Sequence, residues 1–278
     1  MPKIAVVTPA HNEGENINLV AANMLGQTLR PTSWTIVDDE SSDATLELAR
    51  KVALKHDWVT VLQRKREPGT YDGSFRAFIF GVNSLQSDWD YLMKLDADTV
   101  LPANHIEQLI SKFQSDQTLG IGSGVCLGEP GVFSHPRGNN RMYRCECWKE
   151  ISFPEDGWGW DTVDEVFARL NGWRTEAFGE IVCTHLRPKL LDAKYRFHQG
   201  RLSRHLGYYW WFMLGRAVKV VLSSGPLASL AYLAGYARGG LGSVNQNVRK
   251  AVKLDQRVRI LGLVHLKPQY RALDSGTS

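Results

Sequence analysis

Three short apolar runs, each followed by helical spacing or a breaker and most closed by a polar cluster, constrain this chain more than any other feature. Residues 4 to 7 form a run rich in β-branched side chains that stops at Pro9 and opens into His11-Asn12-Glu13. From Asn16 to Leu29 the spacing becomes helical, with Ile17, Val20, Ala21, Met24 and Leu25 on one face. Trp34 to Val37 repeats the run and ends in Asp38-Asp39-Glu40-Ser41-Ser42-Asp43, ahead of a helix predicted over Ala44 to Lys55 and a strand at Val59 to Leu62. A β-α-β-α-β alternation dictates a parallel sheet with helices on both faces. The polar clusters fall at the carboxyl ends of strands, where open α/β sheets bind ligands.

Further along, a basic, turn-rich stretch from Arg64 to Gly69 reads as a solvated loop before a helix from about Gly73 to Leu85. A fourth strand, Asp90 to Leu95, runs into Asp96-Ala97-Asp98. Ile106 to Phe113 is helical and Gly120 to Leu127 is a strand of small residues, after which the sequence reads as irregular as far as Asp156. Gly157-Trp158-Gly159-Trp160-Asp161 then opens a helix to Leu170, closed by Asn171-Gly172.

Composition removes several classes. With 278 residues, 43% apolar and 22% charged, the chain can bury a core and is not disordered over most of its length. A net charge of +4 is too small for a nucleic-acid binder. Cys126, Cys145, Cys147 and Cys183 form no C-x-x-C pair, which excludes a zinc ribbon and predicts free thiols. Met1-Pro-Lys3 leads straight into the first strand, so the expected location is cytoplasmic, or peripheral on the cytoplasmic face of a membrane. The C-terminal part differs in character: Arg201 to Tyr236 alternates basic positions with dense aromatic and aliphatic runs. Its uncharged stretch from Val220, closed by Arg238, contains Ser, Gly and Pro and is borderline against the ~20 apolar residues a membrane span needs. Two amphipathic helices are expected instead, lying on a membrane surface, covering the sheet or forming a homodimer contact. The expected division is a catalytic domain over 1–200 and a helical extension over 201–278.

Four groups carry chemistry. Asp96 and Asp98, at i and i+2 on an extended segment, point to the same side, and their hard oxygens suit Mg²⁺ or Mn²⁺; otherwise they are a solvated strand end. Asp39 is placed to accept hydrogen bonds from a nucleobase N–H or a ribose hydroxyl, while Ser42 or Asp43 caps the next helix. Asp161, Asp164 and Glu165 share a helical face. They either complement the helix dipole, with Glu165 pairing to Arg169, or provide a general base beside an aromatic wall of Trp158 and Trp160, with Gly157 and Gly159 admitting the ligand closely. His185, after Ile181-Val182-Cys183-Thr184, is a metal-ligand type at a strand end.

Taken in order, these pieces resemble family 2 glycosyltransferases of the GT-A fold. The residues that carry the resemblance are Val6-Val7-Thr8-Pro9-Ala10-His11-Asn12-Glu13, Val37-Asp38-Asp39-Glu40-Ser41-Ser42-Asp43-Ala44-Thr45, Leu95-Asp96-Ala97-Asp98-Thr99, and Gly159-Trp160-Asp161 through Gly172-Trp173-Arg174, over residues 4 to about 187. The resemblance implies a Rossmann-like, mostly parallel sheet flanked by helices. It places Pro9, His11, Glu13, Asp39 and Asp96 at the nucleotide, Asp98 and His185 at a divalent metal, Mn²⁺ or Mg²⁺, and Asp161, or Asp164, as catalytic base. It implies an inverting transfer from a UDP-, GDP- or dTDP-linked donor to a hydroxyl acceptor; a glycan or lipid-linked acceptor would fit peripheral attachment through residues 201 to 238. The Q-x-x-R-W signature of processive synthases is absent; His198-Gln199-Gly200-Arg201 echoes it poorly, which argues for one sugar per transfer. Two departures stand out: Trp160 replaces the Glu before the catalytic Asp, and Glu40 replaces a Gly. The rival readings are a nucleotidyltransferase and a non-catalytic nucleotide-sugar-binding membrane scaffold. Against the first, Pro9-Ala10-His11-Asn12 stands where a Gly-rich, Lys/Arg-bearing loop is usual.

Overall fold

The computed structural model describes residues 1–66, 73–86, 88–127, 135–187, 192–242 and 244–261. Residues 67–69 of the basic stretch, 128–134 of the irregular stretch and the tail from 262 lie outside them. The chain divides into two compact units, Met1–Glu150 with Trp173–Pro188, and Ile151–Gly172 with Lys189–Ser278.

The first unit follows the alternation read above. Its elements are β1 (Ile4–Ala10), α1 (Ile17–Leu25), β2 (Ser33–Asp39), α2 (Thr45–Ala53), β3 (Val59–Arg64), α3 (Ser74–Asn83), β4 (Tyr91–Leu95), β5 (Thr99–Val100), α4 (His105–Ser115), β6 (Leu119–Cys126), β7 (Asn140–Arg144) and α5 (Cys145–Glu150). After a helix of the second unit, α6 (Trp160–Leu170), the chain returns with β8 (Arg174–His185). The eight strands run in the order β3-β2-β1-β4-β7-β6-β8-β5. The first four are parallel neighbours, as is β6 with β8, but β7 is antiparallel to both β4 and β6, and β5 to β8. The sheet is therefore mixed.

Strand periodicity splits the core into two layers. Ile4, Val6, Trp34, Ile36 and Met93 pack with Ile17, Val20 and Met24 of α1 and Ile106, Leu109 and Phe113 of α4. Trp34, fully buried, donates its indole N–H to Thr8 Oγ1 (2.9 Å), so a large ring enters the core without an orphaned donor. On the other face Phe78 of α3 meets Tyr143 and Trp148 of β7 and α5, at ring-centroid distances of 6.4 and 5.9 Å.

The stretch from Gly128 to Asp156 is not irregular throughout, since β7 and α5 lie in it. Asn-Arg-Met-Tyr-Arg shows no apolar alternation, yet all five residues of β7 are buried. Arg144 is accommodated by backbone carbonyls: Nε donates to Leu119 O (2.9 Å), and Nη2 to Phe113 O (2.5 Å) and Asp116 O (3.0 Å). Arg141 donates to Pro136 O. A buried charge met by several oriented carbonyls escapes most of its desolvation penalty.

The second unit is helical, adding α7 (Ala193–His205), α8 (Trp210–Ser224), α9 (Pro226–Arg238) and α10 (Gln246–Leu261) to α6. The helix pair expected in 201–236 is α8 and α9. Val163, Val166 and Leu170 of α6 pack with Leu206, Val248, Ala251 and Val252. Arg169 ties α6 to α10 through two bonds to Asp255 (2.8 and 3.0 Å) and pairs with Glu165 (3.1 Å). Burial opposes the charge of Arg169, but Asp255 and Glu165 outweigh it and raise its pKa. Helices α7 and α9 approach unusually closely: a Cβ on Gly200 would lie 1.9 Å from Tyr232 O, and one on Gly235 1.9 Å from Phe197 O.

Candidate functional site

In the first unit the strand ends bring one set of predicted residues together. Pro9 is buried in β1, in register with Val37 of β2. His11 donates Nδ1–H to the backbone carbonyl of Asp39 (2.8 Å), which leaves Nε2 beside Asn12 Nδ2 (3.3 Å). Asn12 in turn accepts from Ser42 N (2.8 Å) and Ser42 Oγ (3.2 Å), and its own N–H donates to Ser41 Oγ (3.0 Å). The loops after β1 and β2 are thereby stitched to each other. Both carry a non-glycine residue in the left-handed region, Asn12 at φ 54° and Glu40 at φ 59°. At Glu40 the backbone has the conformation glycine adopts most cheaply, so the departure from the family's Gly places a side chain at a strained position.

Asp39 is 2% exposed and held from two sides, by Arg64 Nη1 at Oδ1 (2.5 Å) and Arg66 Nε at Oδ2 (3.1 Å). Arg64 and Arg66 are thus counter-ions of the strand-end carboxylate, not the solvated loop read from sequence. Asp38 is fully buried, and its Oδ1 has no hydrogen-bond partner among the described residues.

Asp96 and Asp98 follow β4. The Asp96 carboxylate meets Lys94 Nζ, whose side chain is 1% exposed inside an apolar strand. Asp98 Oδ2 lies 3.2 Å from His185 Nε2 and 3.3 Å from Arg187 Nε. Arg187 also pairs with Glu13, which makes Glu13 a link between the loop after β1 and the segment after β8. Glu13 further accepts from Asn16 Nδ2 (2.7 Å), and its N–H donates to Thr45 Oγ1 (2.7 Å).

Sequence reading passed over Lys94, Arg187 and the roles of Arg64 and Arg66. A signal existed for two of them. Lys94 interrupts an apolar strand two residues before Asp96, on the same face, and Arg187 follows His185 by the same interval. His105 opens α4 and is fully buried. Burial pushes its pKa down to about 4, partly offset by the Val182 backbone and the Asn140 side chain.

Asp98 and His185 fit a divalent ion by donor chemistry, a carboxylate and an imidazole facing each other. Among the described residues no group of three or more His, Cys, Asp or Glu is assembled around such an ion. Two protein donors suit Mg²⁺ or Mn²⁺, which usually retain waters and substrate phosphate.

Asp161 and Asp164 belong to the second unit, on α6. Asp161 is partly exposed, whereas Asp164 is fully buried and its Oδ1 accepts the N–H of Glu165 (2.6 Å). Arg216 of α8 is drawn to the same neighbourhood: burial disfavours its charge, yet Tyr208, Tyr232, Tyr195 and Asp161 together raise its pKa. Trp158 packs against His198, ring centroids 5.0 Å apart. Gly159 is at φ 72°, and a Cβ there would meet Leu206 Cδ1 at 2.9 Å, so this glycine serves the turn into α6 and its packing.

A D-x-D strand end on such a sheet is the arrangement of GT-A glycosyltransferases, and solved members share the fold. The mannosyltransferase PcManGT from Pyrobaculum calidifontis, in complex with GDP-Man and Mn²⁺, aligns with a TM-score of 0.60 over 94% of this chain and 81% of its own, at 19% identity. S. aureus TarS 1-349 in complex with UDP-GlcNAc aligns with a TM-score of 0.54 over 97% and 93%, at 16% identity. Residues 5–165 match glycosyl transferase family 2, and the chain belongs to that family. The poly-beta-1,6-N-acetyl-D-glucosamine synthase of Staphylococcus aureus (strain COL) is 32% identical over 122 residues, 44% of this chain; the match spans 28% of that synthase.

Proposed function

We propose that this chain moves one sugar from a nucleoside-diphosphate sugar to a hydroxyl of a glycan or lipid-linked acceptor, with inversion at the anomeric carbon. The observation that carries the reading is the set of acids at the strand ends of the first unit: Asp39 whose carbonyl meets His11, Asp96 paired with Lys94, and Asp98 beside His185 and Arg187, the last of which also reaches Glu13. Asp39 is the acceptor for the nucleobase, oriented by Arg64 and Arg66, and the orphaned Asp38 Oδ1 offers a second buried acceptor nearby in sequence. Asp96, with Lys94 as counter-ion, faces the ribose or sugar. Asp98 and His185 would hold the divalent ion, which would supply stabilisation of the negative charge on the departing diphosphate.

Asp161 is the general base that receives the acceptor proton as the hydroxyl attacks. Its partial exposure supports it over Asp164, whose buried carboxylate already accepts a backbone N–H. Loss of such a base costs ~10²–10⁴-fold in rate. The solved neighbours bound to GDP-Man and UDP-GlcNAc support a nucleotide-sugar donor without choosing the base.

The test is calorimetric titration with UDP, GDP and dTDP, with and without Mn²⁺, on wild type and Asp98→Ala, followed by product analysis of wild type and Asp161→Asn. One nucleotide should bind in a metal-dependent manner that Asp98→Ala abolishes, and turnover should release free nucleoside diphosphate that Asp161→Asn suppresses. Release of pyrophosphate, or folded protein that binds none of the three, would overturn the reading.

A further inference from the structure

Helices α8 and α9 show a surface that sugar transfer does not use. From Ala193 to Leu254 the chain contains no Asp or Glu and ten Lys or Arg. Within it, Met213 and Ala217 of α8 pack against Tyr232 and Tyr236 of α9. Ser229 Oγ donates to Ala217 O (2.9 Å), and Tyr236 OH to Tyr208 O (2.6 Å). The inward face of each helix is therefore satisfied.

The outward face is apolar as well. Trp210, Leu214, Val218 and Leu222 recur every four residues along α8, and Leu227 and Leu230 are exposed on the first turns of α9 beyond the Gly225-Pro226 turn. These side chains are well exposed, Trp210 at 65% and Leu222 at 83%. A helix apolar on both sides belongs in a core or against lipid, and contiguous exposed apolar patches mark interaction sites.

Charge decides the occupant. A symmetric pair of copies joined through this face would set the same patch against itself, with the exposed Lys219 and Arg238 of each copy finding no acidic residue on α8 or α9 of the other. An anionic surface supplies the missing negative charge, and each Lys or Arg near it adds attraction. Lys219 is exposed within the α8 run and Arg238 at the end of α9. At 15 residues α8 is about 22 Å long, less than the ~30 Å hydrocarbon core. No described helix is long and apolar enough to cross a membrane.

We propose that the α8–α9 hairpin docks flat on an anionic lipid bilayer. Trp210, Leu214, Val218, Leu222, Leu227 and Leu230 enter the acyl boundary, and Lys219 and Arg238 remain with the headgroup phosphates. The proposal stands on this surface alone, independently of the transfer reaction.

Flotation of the full chain with phosphatidylcholine vesicles, with and without phosphatidylglycerol, tests it, alongside the Val218→Glu/Leu222→Glu variant. Both substituted positions are exposed, so the variant should keep the wild-type circular dichroism and melting temperature. Wild type should float with the anionic vesicles and release at high salt, and the variant should bind them about tenfold more weakly or less. Folded wild type that ignores anionic vesicles would overturn the proposal. So would binding that the double substitution leaves unchanged, or a solution dimer that it dissociates, which would assign the face to a second copy.

Discussion

Protonation of His105 should set a measurable part of this protein's acid sensitivity. The ring is buried at the start of α4, and its pKa falls from 6.5 to about 4 because burial disfavours the imidazolium. The unfolded chain therefore binds one more proton than the folded one between those two values, so stability declines as pH falls from about 6.5 and levels off below about 4. At ~1.4 kcal/mol per pKa unit, the whole window is worth about 3 kcal/mol, of which about 2 kcal/mol is lost by pH 5. Carboxylates contribute their own acid dependence, so the informative quantity is a difference. His105→Gln keeps a polar side chain of similar length and cannot become cationic. Urea unfolding followed by tryptophan fluorescence at intervals from pH 7.5 to 4.5 should show wild type losing about 2 kcal/mol more than His105→Gln by pH 5, with the two curves parallel above pH 7. Curves that stay parallel throughout, with His105→Gln folded, would refute the assignment of a neutral buried imidazole.

Two further outcomes follow from backbone geometry. Glu40→Gly should raise the melting free energy by about 0.5–1 kcal/mol, since it removes a side chain from a left-handed position at the loss of one exposed contact, from Arg66 N to Glu40 Oε2. Gly235→Ala should destabilise the helical unit by about 3 kcal/mol, because the new methyl would collide with Phe197 O, whereas Gly215→Ala in α8, with open space around it, should stabilise by up to ~1 kcal/mol; paired thermal melts check both.

The first half of the sheet was legible because its strands are apolar, uniform and followed by well-patterned helices. The same alternation places Asp39, Asp96 and Asp98 at strand ends, where they stand in the fold. What escaped notice was buried charge. Lys94, Arg141 and Arg144 lie inside strands, and Arg64 ends one; Lys94 and Arg141 meet partners a few residues away, while Arg144 and Arg64 meet a carbonyl and a carboxylate distant in sequence. Periodicity cannot register a cation whose partner lies on another element, so β7 looked like loop and Arg64 like solvent-facing surface. Glu165 was resolved the other way, toward the plainer of its two readings, as the partner of Arg169. The Gly157–Gly159 turn was likewise visible as a helix entry, but its glycine at 159 answers to φ and to Leu206.

The stitching of Asn12 to Ser41 and Ser42 has a consequence for how this sequence can vary. The Asn12 side-chain oxygen accepts from Ser42 and its backbone N–H donates to Ser41, with the backbone held at φ 54°, and Glu40, immediately before those serines, is held at φ 59°. Replacing Asn12 removes the acceptor of the Ser42 N–H and hydroxyl but keeps the backbone N–H that meets Ser41, whereas replacing Ser41 removes only that second tie. Related chains can therefore lose the asparagine and retain the link at position 41, so the two ties between the loops should vary independently.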